Sequence, residues 1–85
     1  MKRLTTRAAD GAASIDPCAT EEAIRRLAAY EDMHDDLAAR LSDLEDTIEK
    51  RKAEGAMKGS LGNQLIAQKV ALKTTLGMFE MYGIE

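Results

Sequence analysis

The sequence predicts an all-α protein: an antiparallel helical hairpin, three helices if the first long one breaks, preceded by a short N-terminal arm or β-hairpin. Three observations carry that expectation. First, a 3-4 rhythm runs through Ala23, Leu27, Tyr30, His34, Leu37, Leu41, Leu44 and Ile48, an a/d seam with one polar intruder, and neither Pro nor Gly interrupts it before Gly55. Second, "EGAMKGS" at residues 54–60 is a sharp break followed by a second apolar-periodic segment. Third, the only aromatics are Tyr30, Phe79 and Tyr82, so Leu, Ile, Ala and Met must fill the interior, and these are the side chains of helix-helix seams.

Residues 1–19 form the arm. "RLTTR" reads as a strand, "AADG" as a turn closed by Gly11, and "AASI" as a short returning strand. A lone two-stranded hairpin is marginal in water, so the arm is ordered only where it lies on helices or on a partner. Asp16-Pro17 supplies an N-cap and an N1 proline, with Thr20 as an alternative cap, and Glu21 and Glu22 stand where the helix dipole favours negative charge.

The long helix covers residues 20–54. Within it, "EDMHDD" is the weak point, because Asp is a poor interior residue and Asp32 can cap a new helix, so one long helix and a helix broken at 32–36 both stay open. Residues 55–60 form the loop, with Ser60 as the next N-cap. The C-terminal helix covers 61–82, and Gly83 is its stop. On it, Leu61, Leu65, Leu72, Leu76 and Phe79 fall in a stripe of about 60°, while Ile66, Val70, Met81 and Ile84 form a second group on the other side.

A chain of 85 residues makes a single domain, and one this short buries only about 60–65% of the surface its unfolded form exposes. Such chains commonly need a disulfide, a metal or a partner subunit. One cysteine, Cys18, and one histidine, His34, supply neither an internal disulfide nor a zinc site, so no metal and no cofactor are expected. A homo-oligomer is expected instead, with Ile66, Val70, Met81 and Ile84 at the interface. The lone cysteine fits a reducing compartment, no apolar run approaches a membrane span, and "MKRLTTR" has no apolar stretch behind it, which together read as a cytoplasmic protein without membrane contact.

Charge is sorted along the chain. Residues 31–49 carry eight acids against Arg40, and residues 50–73 carry six bases against Glu54. Opposite blocks on neighbouring helices would favour their pairing through modest, salt-sensitive terms. The acidic set Asp32, Asp35, Asp36, Asp43, Asp46 and Glu49 also offers a partner-binding surface, because a row of carboxylates imitates phosphates and can occupy a nucleic-acid-binding groove of another protein. The plainer reading is a solvated face complementary to the basic block. Lys58 and Ser60, in "MKGSLGNQ", bring a cation and a helix N-terminus together as a possible anion site, though the lysine precedes the glycines and no strand leads in, so it is not a Walker loop. Cys18 reads as a small packing residue and His34 as a register-setting seam residue. No nucleophile and base can be placed together, so no catalytic residue is expected and the protein reads as non-enzymatic. Net charge −3 and the lack of interleaved aromatics argue against direct nucleic-acid binding.

The start "MKRLTTR", Gly11 in a turn, and a single cysteine shortly before "RRLAAYED" resemble small uncharacterised proteins of phages and prophages of Gram-positive, often gut, bacteria, in which a "KRLTTR"-type start and an "RLAAYED" helix recur. The likeness covers residues 1–32. Those proteins usually turn at a Gly or Pro after "YED", whereas "MHDDL" here has neither. The resemblance implies a phage accessory factor that binds a host protein, with antagonists of bacterial defence, anti-CRISPR proteins among them, as a prominent class. Two other functions stay open beside it: an oligomeric sponge for a cyclic-nucleotide immune signal, using Lys58 and Ser60, and a structural or assembly accessory.

Overall fold

The computed structural model describes residues 1–84. The order of elements is β1 (Thr5–Arg7), β2 (Ala13–Ile15), a 3₁₀ turn (Pro17–Ala19), α1 (Thr20–Ala53) and α2 (Ser60–Met81). The expected helical hairpin and N-terminal β-hairpin are both present. The chain divides into two compact units, Met1–Asp32 and Met33–Glu85, and α1 passes from the first into the second.

In the first unit β1 and β2 pair antiparallel, with Thr5 opposite Ile15, Thr6 opposite Ser14 and Arg7 opposite Ala13. The turn between them is held by its own chemistry: the Asp10 carboxylate accepts from the Ala12 amide at 3.0 Å, and the Arg7 guanidinium donates to the Gly11 carbonyl at 2.7 Å. Every strand residue is exposed, so the hairpin needs an anchor elsewhere. The leading segment supplies it: the Arg26 guanidinium donates to the Lys2 carbonyl, the Tyr30 hydroxyl lies 3.3 Å from the Met1 sulfur, and Leu4 is half-buried. Asp16 acts as the expected N-cap, accepting from the Cys18 amide at 2.9 Å with Pro17 behind it, but what it caps is the 3₁₀ turn that feeds α1. In the first turns of α1, Glu22 accepts from Arg25 at 2.6 Å and from Arg26 at 3.3 Å. The Arg25 guanidinium holds the Glu22 carboxyl below its ordinary range, and its own value is raised in return.

In the second unit α1 and α2 run antiparallel. His34 meets Phe79 edge to face, ring centroids 5.4 Å apart, and Glu45 meets Lys69 at 3.8 Å, so positions rising along one helix fall along the other. Between these contacts lie Leu37, Leu41 and Leu44 of α1 and Leu72 and Leu76 of α2, with Ile48 and Leu65 just beyond the second, all buried or half-buried. Both helices end in the same way. The Ala56 amide donates to the Arg51 carbonyl and the Gly55 amide to that of Lys52, and likewise Ile84 to Phe79 and Gly83 to Glu80. These are Schellman closures, which place the residue after the cap at positive φ, here Gly55 at 70° and Gly83 at 78°.

The choice left open at 32–36 is decided, and two expectations are corrected. The helix does not break at 32–36: its acids at Asp32, Asp35 and Asp36 are exposed, so they bury no charge, while His34 and Leu37 pack inward. A propensity cost of under about 0.7 kcal/mol per Asp is small beside that packing. α2 is capped by Gly59, with no side-chain cap bond, and Ser60 is its first residue instead of its cap. Leu61 shares the angular position of Phe79 yet keeps 49% of its surface exposed, while Gly62 beside it is buried. A Cβ on Gly62 would stand 2.6 Å from the Met57 carbonyl carbon and nearer still to its oxygen. The loop therefore crosses where only a glycine admits it.

Candidate functional site

On α1, positions advance by about 100° per residue. The buried and half-buried seam of Leu37, Leu41, Leu44 and Ile48 therefore puts Asp35, Asp36, Asp43, Asp46 and Glu49 on flanks and side turned away from α2, and all five are exposed. They extend along about 21 Å of helix at 1.5 Å per residue. Asp32 is exposed as well but closes the other unit, so the face of the second unit consists of the remaining five.

The expected neutralisation of this acid by the basic block is almost wholly missing. Lys50, Arg51 and Lys52 belong to the last turn of α1 itself, where they answer the helix dipole. Across the helices, among the described residues, only Lys69 reaches an acid, and that acid is Glu45, which borders the seam. Of the five acids on the outer side, Asp36 has a loose 3.9 Å contact with Arg40, and the other four have no ion-pair partner among the described residues. The acid was legible in the sequence. Its lack of partners was not.

The four residues expected at an oligomer interface are all exposed. Val70 keeps 58% of its surface and Met81 83%, Ile66 and Ile84 are exposed to a lesser degree, and Met78 adds to them. Ile84 lies beyond the end of α2, in the closure after Met81. Lys58 and Ser60, both exposed, stand in the loop and at the start of α2. One Arg51 guanidinium nitrogen donates to the Ala56 carbonyl of the same loop at 2.9 Å, which ties the loop to α1. Its Nε is buried without a partner.

Cys18 is exposed, not buried, because the 3₁₀ turn that holds it has no buried residue. His34 is half-buried against Phe79, as a seam residue should be. Leu27 and Tyr30, expected in the same seam, are exposed: α1 has 34 residues against the 22 of α2, and its inter-helix contacts begin at His34. In the first unit these two side chains line, with Met1, Leu4, Ala23 and the arginines Arg3 and Arg26, an apolar cavity of about 350 Å³ that sequence reasoning missed. The signal for it was the continuation of the seam through Ala23, Leu27 and Tyr30, beyond the reach of a second helix of 22 residues.

Among the described residues no group of three or more His, Cys, Asp or Glu is placed to hold a metal ion, and no helix is long and apolar enough to cross a membrane. No protein-family model matches the chain, and neither a curated protein nor a solved structure shows significant similarity to it.

Proposed function

We propose that this chain is a phage-encoded, non-enzymatic binding protein that acts in the cytoplasm of a bacterial host, where the acidic face of α1 occupies a basic surface on a host defence protein and blocks it stoichiometrically. An inhibitor of a nucleic-acid-binding effector, anti-CRISPR fashion, is the form this takes. One observation carries the reading: Asp35, Asp43, Asp46 and Glu49 are exposed along one helix with no ion pair among the described residues. Like charges held on one rigid rod repel one another and contribute nothing to the seam. A groove that binds phosphates has the opposite need, and it gains from a row of carboxylates presented without rearrangement. The resemblance of residues 1–32 to small phage proteins supplies the biological setting.

The test is capture of a basic bacterial protein from a host lysate by the tagged chain, read by mass spectrometry. Reversing two adjacent charges, Asp43→Lys with Asp46→Lys, should abolish capture and leave helical circular dichroism unchanged, because both residues are exposed and unpaired. Captured partner should also be released as salt rises past about 0.15 M, where the screening length falls to about 8 Å. Capture by the double variant as strong as wild type at low salt rules the reading out.

A further inference from the structure

Two glycines lie inside α2, and the structure explains one of them. Gly62 is required where the loop crosses at Met57. Gly77 is not: a Cβ built on it meets nothing within 4 Å, and it stands, half-buried, within the C-terminal turns of the helix with no positive φ. A glycine there costs about 0.5–1 kcal/mol relative to alanine. Nothing in the chain itself returns that cost.

Gly77 belongs to the uncovered face. At about 100° per residue, Ile66, Val70, Gly77 and Met81 fall within an arc of about 60° on the side of α2 away from the Leu65, Leu72 and Leu76 stripe. Their spacing has a further property. Positions 66 and 81 are centred on the point between Lys73 and Thr74, and so are positions 70 and 77. A helix with that pattern matches itself when turned end for end: Val70 falls opposite Gly77, and Ile66 opposite Met81, twice over. That is the requirement of a two-fold contact, in which one patch serves both partners.

The face is apolar and open: Ile66 keeps 40% of its surface, Val70 58% and Met81 83%. Only Leu44 and Ile48 count as buried apolar residues, at 9% and 2% exposure. We propose that a second copy of this chain docks antiparallel on the Ile66–Met81 face of α2, with Val70 of each copy seated on the bare backbone at Gly77 of the other. The proposal is independent of the acidic face, which lies on α1.

The two Lys73 side chains come close together beside the centre of such a contact. Salt screens them, so this pairing strengthens as salt rises, the reverse of what the acidic face requires of its partner.

The experiment is sedimentation equilibrium of the full chain over a micromolar concentration series. Wild type sediments as a dimer or a multiple of it. Gly77→Leu is the sharpest variant, because leucine is the better helix former and the change cannot unfold α2 for lack of propensity. It fills the seat of Val70 and should raise the dissociation constant at least tenfold while helical circular dichroism is kept. Orientation is read with Cys18→Ser as background. An equal mixture of Ile66→Cys and Met81→Cys chains should form mostly mixed disulfides, since Met81 lies opposite Ile66 and far from its own copy. A monomer at tens of micromolar, an unchanged dissociation constant for Gly77→Leu, or Met81→Cys linking to itself as readily as to Ile66→Cys would each overturn the proposal.

Discussion

On the face of α2 that meets α1, Gly62, Leu65, Leu72, Leu76 and Phe79 are buried or half-buried, whereas on the other side Ile66, Val70, Met78 and Met81 stand exposed. Composition does not distinguish the faces, since each has branched aliphatics, a large flexible or aromatic side chain and one glycine. Surroundings distinguish them. The inner glycine is closed on by backbone, and the outer one faces open space. A helix apolar on two sides needs cover on both, and within its unit α1 covers one. The seam that results is thin, with only Leu44 and Ile48 counted as buried, so the inner face alone is a slender basis for an 85-residue chain.

That comparison breaks most directly at Ile48, the best-covered side chain of the seam that α1 sets against the inner face. Ile48→Ala removes a buried branched side chain from a core with almost no other, and should lower unfolding free energy by about 2–5 kcal/mol. Urea titration at one fixed protomer concentration measures it, because apparent stability of a self-associating chain changes with concentration. A loss under about 0.5 kcal/mol would mean that the seam is not where the fold is held.

Gly62 comes next. Gly62→Ala puts a methyl group into the Met57 carbonyl, and backbone must shift to admit it, an overpacking cost of about 1–3 kcal/mol. The same exchange at Gly77 meets no atom of its own chain and gains helix propensity instead. Opposite signs for one substitution at two positions of one helix, measured at dilutions where the chain is monomeric, would separate the faces. Equal signs would unite them.

How far the sequence reveals this depends on whether a feature is local. The ends of both helices are legible because Gly55 and Gly83 encode their closures within six residues of chain. The β-hairpin and the Asp16-Pro17 cap are legible for the same reason. Continuity through "EDMHDD" is not, because it is decided by His34 and Leu37 packing against α2, outside any local window. The exposure of Leu61 was not legible: counting apolar residues favours the larger side chain, and the loop crossing at Gly62 leaves no trace in hydropathy. The acidic candidates were legible as residues, yet summing charge over blocks counted Lys50, Arg51 and Lys52 as neighbours when they share the acids' own helix. The cavity of the first unit depends on where residues 1–5 lie, which no periodicity states.

The smallest effect concerns the polar interruption of the inner face. Lys69 takes a seam position between Leu65 and Leu72, and its stem is partly covered while its amine reaches Glu45. The pair is partly exposed, so its attraction is screened, and Glu45→Gln should cost only about 0.2–1 kcal/mol, less in 1 M salt. Its use is directional: among Leu37, Leu41, Leu44 and Ile48, apolar contacts tolerate a slide of one turn, whereas an ion pair across the seam is satisfied in one register only. Gln weakens that constraint while keeping size. Lys69→Met removes it and adds apolar surface, so stability should rise or hold while the order of the seam falls, seen as broader methyl resonances for Leu41 and Leu44. Sharp resonances in Lys69→Met would show that the ion pair is not needed for register and that Gly62, locked on Met57, suffices to fix it.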